Sequence, residues 1–542
     1  MKIRYFIQVL AVAALAACQP SGSPSGDPEE SAVTEEKVGT SPYTNCSFDS
    51  AASGENFDTV ILNGRVMDPE CGFDGMRNVG IKDGRIALIT EGEISGADSI
   101  DATGHVVAPG FIDPHQHTWN DYGQHLLIQD GVTTGLDLEY GALNVPKFYE
   151  SMAGESFFNY GVSVAHEAAR IAVMDNYVHD KGTDARYVHA ARTLPDTTRW
   201  RDDIPSDEEL AEILALLEQG LQDGAIGASS TVGYFEAGAT TNEVFKVQKL
   251  NKQWNRVFSS HTRGQPEMPP PREYSMGSRE TIANQAAIQG AGWHSHIQRS
   301  GWDEIYELLQ GLQKQGMVAV ADIYPYVSGL PNAAAVPLEF FDMIGQEVEE
   351  SLMDPVTGEY LNLEQLKDLH ENNPQKIVVV FMGEAAEEGW AKMEDISYAA
   401  DSVPVMDEEF NTLPLDHPKD EYVGHPRIIG TRSKMFRLAR EHDVPLMNTV
   451  NNASYVPAKY LSMLGLPGMQ ERGRMQEGMV ADITIFNPDT IRDNSTFALG
   501  ERALQPTGIP HVIIGGQFVV RDGVVDLDSR PGQPIRYPVA QD

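Results

Sequence analysis

Short apolar runs alternate along most of this chain with longer stretches in which apolar residues recur three and four positions apart. The first pattern fits strands and the second helices. Strand-like runs fall at residues 106–115, 132–139, 161–166, 224–229, 256–261, 291–296, 317–322 and 396–401. Between them, Ser206-Asp207-Glu208-Glu209 forms a capping box ahead of the stripe Leu210, Ile213, Leu214, Leu217 and Leu221, with Gly224 as the stop. Leu308, Leu309 and Leu312 make a similar stripe before Gly316. Strands with helical crossovers predict an α/β chain folded as a (β/α)8 TIM barrel. A doubly wound sheet is the alternative, but it leaves unexplained why polar residues end most of the strands.

Alternating β segments with turn signals flank this region on both sides, at residues 57–108 and 479–525, and predict a small β-sandwich built from both chain ends. A Pro-rich, acidic insertion at 328–376, followed by an extra strand at 377–382, interrupts the alternation as a lid or a packing element. The expected organisation is a leader at 1–17, a tether at 18–41, the N-terminal half of the sandwich at 42–108, the barrel at 109–478, and the C-terminal half of the sandwich with a tail at 479–542.

Composition changes this picture at two points. The chain carries 40 basic and 79 acidic residues, a formal charge of −39, which argues against nucleic acid or an anionic membrane surface as partner. At the N-terminus, Lys2 and Arg4 precede an apolar stretch too short to span a bilayer, ending in Leu15-Ala16-Ala17-Cys18. This has the form of a bacterial lipoprotein signal, with Cys18 taking the lipid; an ordinary secretory signal is the other reading. Gln19 favours an outer-membrane anchor, the protein facing the periplasm, and the lipid would be its only membrane contact. Cys46 and Cys71 then lie in an oxidising compartment, where a disulfide is expected and two separate thiols are the alternative.

The candidate chemistry starts at His115-Gln116-His117, whose histidines share one face of a strand and can bind one metal ion. In a barrel of this kind, active-site groups come from the C-terminal ends of different strands. The ends of the other predicted strands supply Glu139, His166, His261, His296 and Asp401. Imidazole and carboxylate ligands suit zinc, which can lower the pKa of bound water and polarise a scissile carbonyl. Asp401 beside that water can take its proton and pass it to a leaving amine.

The ordered segments HVVAPGFIDPHQH, DGVTTGLDLEYG, GAIGASS, VFSSHTRG, WHSHIQRSG, ADIYPY, SYAADSVP, HPRIIGT and RMQEGMVADITIFNP resemble the D-aminoacylase branch of the amidohydrolase superfamily, the N-acyl-D-amino-acid deacylases. The resemblance implies a barrel with a small β-sandwich, one or two zinc ions, and metal ligands at His115, His117, His261, His296 and Asp401. It implies a small-molecule amide substrate and hydrolysis of a linear C–N amide bond, with oligomeric state left open. Hydrolysis of a cyclic amide or dipeptide is the nearest alternative, and a non-catalytic, surface-tethered binding protein the more distant one. Where well-known members place a bridging cysteine, this chain has Leu138-Glu139-Tyr140-Gly141. Glu139 is therefore the expected bridge and Asp137 its rival. The carboxylated lysine of other amidohydrolases has no counterpart in GAIGASSTVG. Gln298 stands where members of the branch often carry a lysine for the substrate carboxylate. Arg263, Arg299 and Arg427 could supply that charge, or make salt bridges, and Tyr324 is a further substrate-binding candidate.

Overall fold

In the computed structural model, the described residues are 46–48, 50, 56–180, 182, 184–192, 194, 197–264, 275–299, 301–336, 338, 341, 346–405 and 411–539. Cys18 and the tether lie outside them. Five strands come first: β1 (Asn56–Asp68), β2 (Phe73–Lys82), β3 (Arg85–Thr90), β4 (Ser95–Asp101) and β5 (Val106–Pro109). The barrel strands follow as β6 (Phe111–Asp113), β7 (Val132–Ala142), β8 (Asn159–Ala165), β9 (Gly227–Ser230), β10 (Val257–Ser260), β11 (Ala291–His294) and β12 (Ala319–Ile323). The insertion contributes β13 (Ser328–Gly329), β14 (Leu352–Met353) and β15 (Val379–Phe381); β16 (Ser397–Tyr398) completes the barrel. The chain returns to the first sheet as β17 (Ile483–Phe486), β18 (His511–Ile514), β19 (Gln517–Arg521) and β20 (Val524–Val525).

The barrel runs in the order β6-β7-β8-β9-β10-β11-β12-β16, and every pairing in it is parallel. Its seam is closed by backbone just beyond β6 and β16, where Asp401 N–H donates to the His115 carbonyl at 2.8 Å and His117 N–H to the Ser402 carbonyl at 2.9 Å. The residues of greatest chemical interest thus also close the barrel.

The run at 106–115 is not one strand, as its continuous apolar pattern had implied. Pro109-Gly110 divides it: β5 pairs with β1 and β17, whereas β6 pairs with β7. A Cβ at Gly110 would sit 2.2 Å from Thr133 Oγ1, so only glycine permits the two sheets to approach here. The accessory sheet has nine strands, in the order β20-β19-β18-β17-β5-β1-β2-β3 with β4 on β1, so both chain ends build it.

The capping box at Ser206 and Glu209 is present, opening a helix over Asp207–Gln222. The stripe at 308–312 needs correction. The helix Trp302–Gln313 buries Ile305, Leu309 and Leu312, leaving Leu308 exposed. Three and four residue steps from Ile305 select the buried face, and Leu308 lies just off it. The insertion carries a three-stranded antiparallel sheet, β13-β15-β14, packed around Val336, Phe341, Leu352, Leu366 and Val380.

Cys46 and Cys71 form a disulfide, with Cα atoms 5.7 Å apart. Next to it, Glu70 between β1 and β2 receives Arg474 on both oxygens (2.9 and 3.3 Å), Tyr455 Oη at 2.9 Å and Gln476 Nε2 at 3.0 Å. Burial pushes the Glu70 carboxyl up, but the Arg474 hydrogen bonds and charge outweigh it and the pKa falls below its ordinary 4.5. A carboxyl lowered in the folded state adds stability above its unfolded pKa and loses it as pH falls through the folded value. Glu70→Gln should therefore destabilise by about 3–5 kcal/mol at pH 7, because Arg474 stays buried without its counter-charge. Chemical denaturation of parent and variant should show that gap narrowing below pH 4.5; a pH-independent gap would show that charge is not the cause.

Candidate metal centre

His115, His117, His261, His296 and Asp401 stand just beyond the C-terminal ends of β6, β10, β11 and β16, and Glu139 near the end of β7. Chain direction alone brings them to one rim of the barrel. His115, His117 and Glu139 form one group of convergent ligand atoms, and Glu139, His261 and His296 form a second, the atoms of each lying within 4.8 Å of one another. Glu139 belongs to both. Its Oε2 is 2.9 Å from His115 Nε2 and 3.5 Å from His296 Nε2, and its Oε1 is 3.5 Å from His261 Nδ1.

The contents of the site fit a cation. His115 Nε2, His117 Nε2 and Glu139 Oε2 are fully buried, crowd against one another and Asp401, and make no well-aligned hydrogen bond. Buried polar atoms without such bonds are costly, and three converging on one point are what a metal ion would satisfy. His296 Nε2 and His261 Nδ1 also face each other at 2.9 Å. Four carboxylates, Glu139, Asp137, Asp322 and Asp401, surround these imidazoles, with Arg427 close by. The local charge therefore favours a cation.

The ionisation of the cluster follows from these neighbours. Burial lowers the His115 pKa, but Glu139, Asp322 and Asp401 outweigh it and hold the ring well above its ordinary value. Burial raises the Glu139 carboxyl, yet His115 and His261 hold it well below the usual range. His296 is held well below 6.5, first by burial and then by Arg299 and His261. A bound cation would reinforce the neutral His296 and the ionised Glu139, and would displace the proton that the carboxylates favour on His115.

The supporting groups aim the ligands. His115 Nδ1 meets Asp322 Oδ1 at 3.2 Å, and His117 Nδ1 meets Asp137 Oδ1 at 3.1 Å, so each ring presents Nε2 inward. Asp322 also accepts the His296 backbone N–H at 2.8 Å and Trp293 Nε1 at 2.8 Å. His296 (φ 39) and Asp401 (φ 44) both adopt the left-handed backbone region, which costs a non-glycine residue. The bond from His296 to Asp322 and that from Asp401 to the His115 carbonyl hold them there.

Asp137 shares a side of β7 with Glu139 in the sequence pattern, but its register with β8 shifts after Asp137, and Gly141 turns the chain at φ 73. Its Oδ1 accepts the backbone N–H groups of Glu139, Tyr140 and Gly141 at 3.2, 2.9 and 3.0 Å. Asp137 therefore braces the turn and His117, and Glu139 projects into the cluster. Asp401 presents Oδ1 to His115 Nε2 (3.4 Å) and His117 Nε2 (3.6 Å), while Arg427 holds Oδ2 at 3.0 Å. Burial raises its carboxyl, but Arg427 and His115 bring it below the usual carboxylate range.

Of the other sequence candidates, Tyr324 is buried with the Arg427 guanidinium 4.5 Å from its ring centre, and its ring lies 6.4 Å from that of His296. Arg263 turns away from the histidines: Nε pairs with Glu280 at 2.7 Å and NH1 donates to the Glu236 carbonyl at 3.1 Å. It makes a salt bridge, the alternative reading of that residue. His166 is bonded to Ser230 Oγ (2.9 Å) and Glu243 (3.0 Å), apart from both ligand groups. Sequence reasoning did not single out Asp322. The signal was a carboxylate inside the buried strand Ala319–Ile323, which needs a partner.

No protein-family model matches the chain. A D-aminoacylase from Alcaligenes xylosoxydans xylosoxydans is 25% identical over 526 residues, covering 86% of this chain and 95% of the relative. A dihydroorotase from Streptococcus pneumoniae is 26% identical over 434 residues, covering 79% and 90%. Among solved structures, an N-acyl-D-glutamate deacylase from Bordetella bronchiseptica, complexed with zinc and a phosphonate inhibitor, superposes with a TM-score of 0.70 at 21% identity, covering 89% of this chain and 100% of that one. Over most of its length, then, the chain is similar in sequence to D-aminoacylases and N-acyl-D-amino-acid deacylases, and in fold to a solved member of that group.

Proposed function

We propose that the protein is a zinc-dependent hydrolase of linear C–N amide bonds that removes the acyl group from N-acyl-D-amino acids or related D-configured amides. The observation that carries this reading is Glu139 shared between two histidine groups, with Asp401 held against both His115 and His117 by Arg427. His115, His117, Glu139, His261 and His296 would hold one or two zinc ions, with Asp401 as a further ligand. Bound there, zinc would polarise the scissile carbonyl and bring the pKa of water down to about 7.

The chain supplies the rest. Asp401 is ionised and therefore accepts: Oδ1 takes the proton of the attacking water and returns it to the amide nitrogen as the C–N bond breaks. Arg427 fixes Oδ2, so the carboxylate turns its other oxygen to the cluster. Tyr324 and Arg427 stand together on the His296 side, where a phenol and a guanidinium can orient a polar substrate. The exported, Cys18-anchored setting belongs to this proposal, and the Cys46–Cys71 disulfide supports it as a mark of an oxidising compartment.

The test is a parallel assay of the zinc-loaded protein on N-acyl-D-amino acids, their L-enantiomers, dihydropyrimidines and D-containing dipeptides. The expected result is turnover of the D-acyl series, abolished by a chelator and restored by zinc. The similarity to a dihydroorotase favours a cyclic amide as the second reading. Hydrolysis of the cyclic substrates alone would put that reading in its place.

A further inference from the structure

Two of the histidines at the centre are aimed by carboxylates, His115 by Asp322 and His117 by Asp137. His261 is different. It turns Nδ1 to Glu139 and His296, and among the described residues no hydrogen bond reaches its Nε2. What bears on its ring is Tyr234, stacked at 4.6 Å between centroids with an interplanar angle of 30°.

Tyr234 is itself held. The Arg192 guanidinium lies 3.8 Å from its ring centroid and 4.8 Å from that of Tyr140. Arg192 NH1 donates to Tyr140 Oη at 2.8 Å, and the Tyr140 ring meets His117 edge-on at 4.3 Å. The arginine is locked in place by Glu167, which takes Nε and NH2 on its two oxygens at 2.6 Å each, and the Thr231 hydroxyl donates to the same carboxylate. One planar fork thus reaches Tyr234 and Tyr140, each of which lies against a ligand histidine. A buried ion pair is a poor means of gaining stability, since apolar side chains of the same volume serve as well or better. What arginine supplies is fixed geometry: a bidentate seat on the carboxylate, a third donor, and a flat cation for the rings.

We propose that Arg192 is a positioning residue of the metal centre: seated on Glu167, it holds Tyr234 on His261 and Tyr140 on His117, and so aims two of the ligand imidazoles. It does for His261, through a ring, what Asp322 and Asp137 do for their histidines directly. The proposal rests on the reading of this cluster as a zinc site.

The experiment compares the parent with Arg192→Lys, Arg192→Met, and Arg192→Met combined with Glu167→Gln, the last because Arg192→Met alone strands a buried carboxylate. Zinc affinity is measured by chelator competition, kcat and KM on the best amide, and the thermal midpoint on zinc-free protein. The combined variant should melt within a few degrees of the parent yet bind zinc about 10–100-fold more weakly, with kcat falling more than KM rises. Arg192→Lys, which keeps the charge and loses the fork, should weaken zinc comparably. Parental zinc affinity in the combined variant would overturn the proposal, as would losses in Arg192→Met that vanish once Glu167 is also changed. A parent that binds zinc but hydrolyses no amide would sink the hydrolase reading and still leave Arg192 to be judged by affinity; a parent that binds no zinc sinks both.

Discussion

Asp401→Asn is expected to lower kcat by about 10²–10⁴-fold, the range for loss of a positioned general acid–base group. The substitution keeps size and the acceptor facing Arg427, but asparagine neither takes a proton from water nor returns one to an amine. The left-handed backbone at Asp401 tolerates the change, because Asn enters that region more readily than most residues. The seam bond to the His115 carbonyl comes from the backbone and is untouched. Folding and most of the bound zinc should therefore survive, with His115, His117, Glu139, His261 and His296 still in place. Circular dichroism, zinc per chain and kcat on one preparation decide the matter. Undiminished turnover removes Asp401 from the chemistry, whereas loss of zinc in step with turnover makes it a ligand before anything else.

Glu139→Ala should produce the opposite pattern: weak zinc binding first, and inactivity as its consequence. Glu139 is the one residue common to both ligand groups, so its removal takes an oxygen from each. Losing an outer partner of a ligand typically costs about 10–100-fold in affinity, and a shared ligand should cost more than about 100-fold. The zinc-free protein should lose less than the site does, because His115 keeps Asp322 and Asp401 as counter-charges when Glu139 is removed. Elemental analysis after dialysis, with thermal melts of the metal-free forms, separates the two effects. Parental zinc content in Glu139→Ala would mean that His115, His117, His261 and His296 hold the metal without a bridge. A variant that fails to fold without metal would give Glu139 a structural role that its geometry does not indicate.

Asp322 shows how the two levels of reading divide. A carboxylate in an apolar strand is visible in sequence, but its service to His115, His296 and Trp293 at once depends on β11, β12 and the segment beyond β6 meeting at one rim. Arg263 and Arg427 make the same point as a pair. Both follow a candidate site segment, yet the first is spent on Glu280 and the second reaches Asp401. Nothing in the spacing distinguishes them, because a long side chain selects its partner in space.

What the sequence by itself determined is the barrel, a small β domain assembled from both ends, and the rim on which the site residues gather. Periodicity sets strand and helix locally, and in a parallel barrel the C-terminal ends of all strands must share one face. Tertiary structure alone decided that Gly110 has no room for a side chain against Thr133, that Asp137, beyond which the register shifts, turns back to brace the strand end and His117, and that Arg192 reaches two of the histidines through tyrosine rings. These outcomes depend on a close approach of two sheets, a displaced register and a contact between distant segments, none of which leaves a period in the chain.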